Sequence, residues 1–344
     1  MQSGINTEKC GRPKPSAWWT ASVLAVSLVY SYMTVSMHVD RLGLNYLERG
    51  IQIERHRAVL EKTAKDPWQY RLMSEYVTEA GIRVAKALDI HNPHATAFVF
   101  TRYAQGLLIF LACFLYYTML GLPRAHAVVG VTLLALGMSN ADYGSDLQFN
   151  TYFDVLFYLA AAMLILAGRY VWIVPLSAIA ALNRETAGLI PFMAAAVCLW
   201  KRRTEGRSES DATRCMIVSA GALGAFLLVL VGVRLTLGPR ELFIPYGHEP
   251  GLALLKYNLL RRVTWVRLLA TLGVTPLLAA VAEARRRLPV ELRAWVWAVV
   301  PIWILVHAFM SVMAETRLFL VPFALVFIPG AMFLLKPAET ETVG

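Results

Sequence analysis

The sequence has little charge. Asp, Glu, Lys and Arg make up 16% of its 344 residues, whereas soluble domains carry about 25%. Hydrophobic residues make up 57% of the chain. A soluble enzyme needs a charged surface, and a disordered chain needs low hydrophobicity. The composition therefore argues against both classes.

The sequence also lacks several common functional patterns. It has no Walker loop, dinucleotide-binding glycine pattern, internal repeat or low-complexity tract. Its few cysteines fall within predicted membrane spans or on the predicted cytoplasmic side, so we expect no disulfide framework. They are Cys10, Cys113, Cys198 and Cys215.

The chain has instead a series of long apolar runs. A helix needs about 20 apolar residues, roughly 17–25, to cross a bilayer. We therefore predict an all-α fold, a polytopic transmembrane bundle of about ten spans that makes residues 1–344 one integral membrane domain. The first run lacks an evident cleavage site and is interpreted as a retained signal anchor. Short runs between 126 and 200 also allow paired helices that penetrate only partly. The predicted spans are 17–37, 97–120, 126–140, 153–168, 170–183, 186–200, 215–237, 264–282, 294–313 and 317–335.

Basic residues predict the orientation of these spans. The net charge is +10, and basic residues are concentrated in segments 9–14, 201–214 and 285–293, whereas the connection 141–153 has none. By the positive-inside rule, both termini are cytoplasmic and the two larger loops are outside. The basic surplus therefore indicates orientation in a cell (inner) membrane, and we expect no nucleic-acid partner.

The first extracytoplasmic loop, residues 38–96, contains predicted amphipathic helices. Apolar side chains recur at helical spacing in residues 69–88, and more weakly in residues 44–60. We expect both helices to lie on the outer membrane surface in contact with lipid. Packing of the apolar face against the bundle is the alternative. The apolar face of 69–88 comprises Met73, Tyr76, Val77, Ala80, Val84 and Leu88.

Four groups of charged residues lie at the predicted outer ends of spans. An ionisable group at membrane depth costs about 2.5–3.5 kcal/mol, so such groups are candidates for function. Ordinary structural roles are the alternative: Asn183 can cap a helix, Glu185 can favour its dipole, and Glu315 with Arg317 can form a loop ion pair. Their convergence on one side favours a shared polar site. The members are His38, Asp40, Arg41, Arg71, Glu75, Asp142, Asp146, Asp154, Arg184, Glu185, Glu315 and Arg317.

Metal ligands are not arranged in a familiar pattern. The pairs His38 with Asp40 and His91 with His94 lack the spacing of structural metal sites, and Pro93 interrupts the second pair. We predict no dedicated metal site and no cofactor. A loosely bound divalent cation at the outer acidic residues remains compatible with the sequence.

The order of the charged pieces resembles that in bacterial members of the GT-C superfamily, polytopic glycosyltransferases that use polyprenyl-phosphate-linked sugars. The resemblance covers about residues 17–335. It implies a membrane glycosyltransferase whose partners are a polyprenyl-phosphate sugar donor and an extracytoplasmic glycan, lipid or protein acceptor. The matching pieces are Asp40, residues 67–71, Asp154, residues 183–186 and residues 315–317.

The resemblance also implies residue roles. Asp40 would take the proton of the acceptor hydroxyl as it attacks the anomeric carbon with inversion. Arg71, Arg184 and Arg317, oriented by Glu185 and Glu315, would stabilise the leaving phosphate. The predicted catalytic residues are Asp40, Arg71, Arg184 and Glu185. The predicted substrate-binding residues are Glu75, Asp146, Asp154, Glu315 and Arg317.

Two other functions fit the composition. A transporter or flippase of a lipid-linked or anionic solute should have pseudo-repeated halves and interrupted helices near the bilayer midplane. The charged residues cluster at one face instead, and the long first loop has no counterpart in the second half. A scaffold for envelope assembly would leave the outer Arg and Glu residues unexplained. The transferase interpretation is preferred.

Overall fold

The computed structural model describes residues 16–141, 147–206 and 208–337. In these ranges regular structure is helical, and the one extended pairing is an isolated parallel bridge between Asp66 and Leu242. The predicted all-α class is confirmed.

We number the α-helices of the described ranges α1 to α16. Residues 316–335 are treated as one element because their 3₁₀, α and π turns follow each other without a break. The helices are α1 (Ala17–Leu42), α2 (Leu44–Arg49), α3 (Ile51–Leu60), α4 (Leu72–Ala87), α5 (Pro93–Met119), α6 (Arg124–Ala141), α7 (Phe149–Leu166), α8 (Ile173–Ala181), α9 (Leu189–Glu205), α10 (Glu209–Leu237), α11 (Leu252–Leu260), α12 (Arg262–Leu272), α13 (Thr275–Ala284), α14 (Val290–Ala298), α15 (Val300–Met310) and α16 (Thr316–Leu335).

The long helices begin where the sequence supplies a start signal. The Ser16 hydroxyl accepts a hydrogen bond from the Trp19 N–H, and Ser208 caps α10 in the same way. Both therefore satisfy a backbone donor that the first turn would leave unpaired. Helix α5 begins at Pro93, whose missing N–H is no loss at that position.

Six helical segments of the described ranges are long and apolar enough to cross a membrane, which indicates a membrane protein. Helices α12 and α13, bent by 70° at a short break, would together form a seventh. The predicted count of ten is not confirmed, because α6, α8 and α9 fall short of the required length or hydropathy. Helices α8 and α9 form a short hairpin of the kind the sequence allowed. The six segments are α1, α5, α7, α10, α14 with α15, and α16.

Helix α16 is the centre of the bundle. Every residue from 316 to 332 is buried. The Tyr116 and Tyr117 hydroxyls donate to the carbonyls of Leu325 and Ala324 at 2.7 and 3.0 Å. These carbonyls lie in a π-helical turn, Phe323–Phe327, where the regular α-helical pairing is interrupted. The tyrosines of α5 therefore satisfy polar groups inside the apolar core.

The first loop folds into helices α2, α3 and α4. Helix α4 begins at Leu72, three residues after the start of the apolar periodicity, and the preceding Asp66 pairs its backbone with Glu241 and Phe243. Its buried residues are mostly small or polar, such as Ser74 and Thr78. Much of the predicted apolar face is exposed instead: Tyr76, Val77, Val84 and Leu88.

One expectation about the cysteines is wrong. Cys198 of α9 and Cys215 of α10 form a disulfide, with Cα atoms 6.4 Å apart. Each cysteine lies in a separate predicted span, and the short turn between these helices brings them together. Cys113 is free and buried.

Candidate functional site

Five segments meet at one end of the bundle and border a small cavity. They are residues 67–71, the start of α7, the α8–α9 turn, residues 243–245 between α10 and α11, and the connection from α15 to α16. The cavity has a volume of about 120 Å³. We call it the arginine cavity. Its walls include Trp68, Gln148 and Thr151 and four of the residues singled out from the sequence, Arg71, Arg184, Glu315 and Arg317.

Arg184 is held by a buried carboxylate. Its Nη1 lies 3.3 Å from Oδ2 of Asp154, which has no exposed surface. The side chains of Asn183 and Thr186 donate to the two Asp154 oxygens at 2.8 and 2.9 Å. Asn183 also donates to the backbone carbonyl of Asn150 at 2.8 Å, and it therefore joins the α8–α9 turn to α7. Asp154 thus positions Arg184 from behind the cavity wall.

A chain of ion pairs joins Arg71 to helix α10. Arg71 Nη2 lies 3.2 Å from Glu185 Oε2, and the other Glu185 oxygen lies 3.4 Å from Arg234. Arg234 in turn lies 3.3 Å from Asp66. Burial would raise the pKa of Glu185, but the charges of Arg71 and Arg184 outweigh it and hold the pKa below its ordinary value. Glu185 therefore stays ionised between two arginines.

The segment before Arg71 is fixed by buried polar contacts. The Gln69 amide donates to the Val59 carbonyl and accepts from the Ala64 N–H, both at 3.0 Å. The Tyr70 hydroxyl donates to the Gly238 carbonyl at 2.8 Å. Because these contacts satisfy the buried polar groups, the turn can hold Arg71 in one place without a regular helix.

Two further arginines belong to this end of the molecule. Arg317 is 5% exposed and pairs with Glu315 in the connection to α16. Arg55 of α3 lies 4.0 Å from the centre of the Trp68 ring, and Arg71 lies 5.2 Å from it. Burial lowers the pKa of Arg55 to about 10, and repulsion from Arg317 adds to this effect. Arg55 therefore remains charged at neutral pH and contributes a positive field.

The arginine cavity has unpaired hydrogen-bond donors in its walls. Within the described ranges, the Nε atoms of Arg71 and Arg184 are buried and have no hydrogen-bond partner. Burial lowers the pKa of Arg184 to about 10, despite the charge of Asp154, so the group is still a cation at neutral pH. At about 30 Å³ for each water, the cavity has room for about four waters or one phosphate group. Because guanidinium groups form charge-assisted hydrogen bonds with oxyanions, a cavity of this size lined by three arginines suits an oxyanion.

An apolar groove of about 290 Å³ lies beside Glu185. Its walls come from α9, α10 and α15 and include Phe192, Phe226, Trp303 and Val306. Thr186 and Glu185 border the groove as well. Phe192 is 46% exposed and Val306 is 37% exposed, so part of the groove opens to the surroundings of the bundle. The groove combines one charged border with hydrophobic walls.

The structure does not bring Asp40 to the arginine cavity. Asp40 lies in the last turn of α1, where it is exposed and lines a separate cavity of about 540 Å³. The other walls come from α1, α2 and the start of α5, and most of them are apolar, among them Tyr32, Val99 and Phe100. We call this the Asp40 cavity. A shared site for Asp40 and the arginines is therefore not what the geometry supports.

The remaining predicted residues have different surroundings. Glu75 does not line the arginine cavity: its Oε2 lies 2.7 Å from Nδ1 of the buried His56, whose Nε2 lies 3.2 Å from Glu79. Burial opposes protonation of His56, yet the hydrogen bonds and charges of the two glutamates outweigh it and raise the pKa of His56. Asp142 and Asp146 lie outside the described residues.

Sequence reasoning overlooked two arginines inside predicted spans. Arg234 lies in the predicted span 215–237 and joins the ion-pair chain. Arg102 of α5 is fully buried, its guanidinium lies 3.2 Å from the Tyr152 ring centre, and its side-chain nitrogens have no hydrogen-bond partner in the described ranges. A charge inside an apolar run is itself the signal that could have identified both residues.

Among the described residues, no group of three or more His, Cys, Asp and Glu side chains could hold a metal ion. Comparison with protein-family models, with curated proteins and with solved structures finds no match for the chain. The chemistry of the arginine cavity is therefore the basis for a functional assignment.

Proposed function

We propose that this protein is a membrane glycosyltransferase that takes a sugar from a polyprenyl-phosphate donor and transfers it to a hydroxyl of an extracytoplasmic acceptor. One observation carries the proposal: three arginines line one small cavity that adjoins the interfacial first loop. In this proposal the cavity lies on the outer side of a cell (inner) membrane, and both termini are cytoplasmic.

The arginine cavity is the site for the phosphate of the donor. Guanidinium groups form bidentate hydrogen bonds with phosphate oxygens, and unlike lysine they keep their charge when buried. Arg71 and Arg184 each retain a buried, unpaired Nε donor in the described part of the chain. Asp154 and Glu185 position these arginines rather than contact the substrate.

The apolar groove beside Glu185 supports a lipid-linked donor. A polyprenyl chain is an extended hydrocarbon, and the groove offers Phe192, Phe226 and Trp303 as walls. It adjoins the same segment, 184–186, that borders the arginine cavity. A donor with its phosphate among the arginines can therefore leave its chain at the protein–lipid boundary.

The transfer step needs a proton acceptor. The acceptor oxygen forms a bond to the anomeric carbon as the bond from that carbon to the phosphate oxygen breaks, and polyprenyl phosphate leaves with the electron pair. A carboxylate takes the hydroxyl proton. Asp40 has this role in the sequence-based prediction. Glu315 borders the arginine cavity and Asp40 does not. We therefore assign the role of proton acceptor to Glu315.

A transporter or flippase of a lipid-linked or anionic solute is the second candidate. The 70° break between α12 and α13 favours it, because broken helices are typical of transporter sites. The two functions make different products. A transferase yields a new glycosidic bond with purified components, whereas a transporter moves its solute across a vesicle membrane without changing it.

The test is a transfer assay with the purified full-length protein and a panel of radiolabelled polyprenyl-phosphate sugars and acceptors. We expect transfer by the natural chain and a loss of about 100-fold or more in Arg184→Gln, since one preorganised charge donor supports the leaving phosphate. Arg203→Gln is the matched control, because Arg203 is an exposed arginine of α9 outside the cavity.

Full activity of a folded Arg184→Gln protein would reject the arginine cavity as the phosphate site. Solute movement into vesicles with no covalent product from any donor would favour the transporter.

A further inference from the structure

A second basic site lies at the end of the bundle opposite the arginine cavity. Helix α10 connects the two ends: Arg234 joins the ion pairs near the cavity, and Arg214 lies in the first turns of the helix. No charged residue occurs between them. Twenty residues of α-helix span about 30 Å, which is the thickness of a bilayer's hydrocarbon core. The two arginines therefore mark opposite membrane interfaces.

Arg214 borders a cavity of about 630 Å³, formed by residues 168–172 and the beginning of α10. Arg169 also lines it, and Asp211 contributes one carboxylate. Within the described ranges, neither arginine has an ion-pair partner, and both are exposed. The cavity thus has two guanidinium groups and one carboxylate. Its net charge is positive, which suits an anion.

The rim of this cavity is apolar and aromatic. Val171 is 63% exposed and Trp172 is 62% exposed. They lie two and three residues after Arg169 in the turn between α7 and α8. Tryptophan at the end of a membrane span is typical of the headgroup region, where one side of the ring meets lipid. Cations beside such a rim match a molecule that has a negative head and hydrocarbon chains.

We infer that this cavity binds the phosphodiester headgroup of an anionic phospholipid, with Arg169 and Arg214 on the phosphate and Trp172 against the upper acyl chains. The lipid is favoured over a free phosphate because Val171 and Trp172 are apolar and exposed beside the two arginines, and acyl chains would cover them whereas a free phosphate would not. This site is independent of the proposed transferase chemistry, which lies at the other interface.

The test measures lipid binding to purified full-length protein in neutral detergent. Short-chain phosphatidylglycerol, phosphatidylcholine and glycerol phosphate are titrated separately, and bound molecules are counted by native mass spectrometry. The double variant Arg169→Gln with Arg214→Gln removes both cavity cations. The control, Arg203→Gln with Arg285→Gln, removes the same charge from exposed positions that do not line the cavity.

We expect phosphatidylglycerol to bind more tightly than phosphatidylcholine, and the cavity variant to weaken its binding about 30-fold, at about 1 kcal/mol for each basic residue near a membrane surface. The control should change it by less than about 3-fold. Equal losses in the two variants, equal binding of phosphatidylcholine, or equal binding of glycerol phosphate would each overturn the inference. Thermal unfolding of both variants verifies that they are folded.

Discussion

The arginine cavity and the Asp40 cavity are both lined by charged residues that the sequence places at the ends of predicted spans, yet they are built differently. In the first, cations and carboxylates are packed between five segments and hold each other by ion pairs. In the second, one exposed carboxylate borders a larger, mostly apolar space. A charge therefore becomes part of a preorganised site when oppositely charged side chains from other segments pack against it.

The sharpest test of this difference is structural. Asp154→Asn removes the negative charge behind Arg184 and leaves a buried cation without its partner, which typically costs 3–5 kcal/mol. We expect a loss of about 3 kcal/mol in unfolding free energy, against less than about 0.5 kcal/mol for Asp40→Asn, because Asp40 is exposed. Thermal unfolding of the two variants in one detergent measures the contrast. Similar stabilities would show that the buried pair is not a structural requirement.

Activity separates the two carboxylates that could take a proton. In the transfer assay, Glu315→Gln should reduce the rate about 100-fold, the lower range for loss of a positioned general base. Asp40→Asn should change it by less than about 2-fold, since Asp40 lies in the other cavity. The opposite result, a large loss in Asp40→Asn only, would identify Asp40 as the proton acceptor. It would also require the first loop to rearrange on substrate binding.

The smallest expected effect is the pH dependence of stability that arises from His56, which pairs with Glu75 and Glu79. The pKa of His56 is raised in the folded protein, so its pairing with Glu75 and Glu79 stabilises the fold fully below about pH 6.5 and is lost as pH rises through the higher folded value. We expect the stability difference between the natural chain and His56→Gln to shrink as pH increases. A difference that is constant from acidic to alkaline pH would contradict this. Unfolding temperatures across a pH series measure it.

Much of the fold follows from apolar periodicity. Each predicted span coincides with helical structure, and the charged ends of short connections come together because the intervening helices must return across the bundle. Arg184, Glu315 and Arg317 were found in this way, Arg71 was found in the long first loop, and all four line one cavity. The apolar periodicity of residues 69–88 begins three residues before helix α4.

The rest depends on tertiary geometry. Successive residues at a helix end point about 100° apart, so the sequence around Asp40 could not show which cavity it would face. The span count of ten is not confirmed, because α6, α8 and α9 are helical without meeting the length or hydropathy of a spanning helix. Arg234 was missed because its partners, Asp66 and Glu185, are far away in sequence.

The enclosed position of α16 has a consequence for biosynthesis. The ribosome makes this helix after the other candidate spanning segments of the described ranges, yet the bundle is packed around it. Tyr116 and Tyr117 of α5 therefore keep their hydroxyls without these backbone partners until residues 324 and 325 arrive. A chain that stops before residue 316 would therefore lack the most deeply buried helix of the bundle and would leave the core residues that pack against it uncovered.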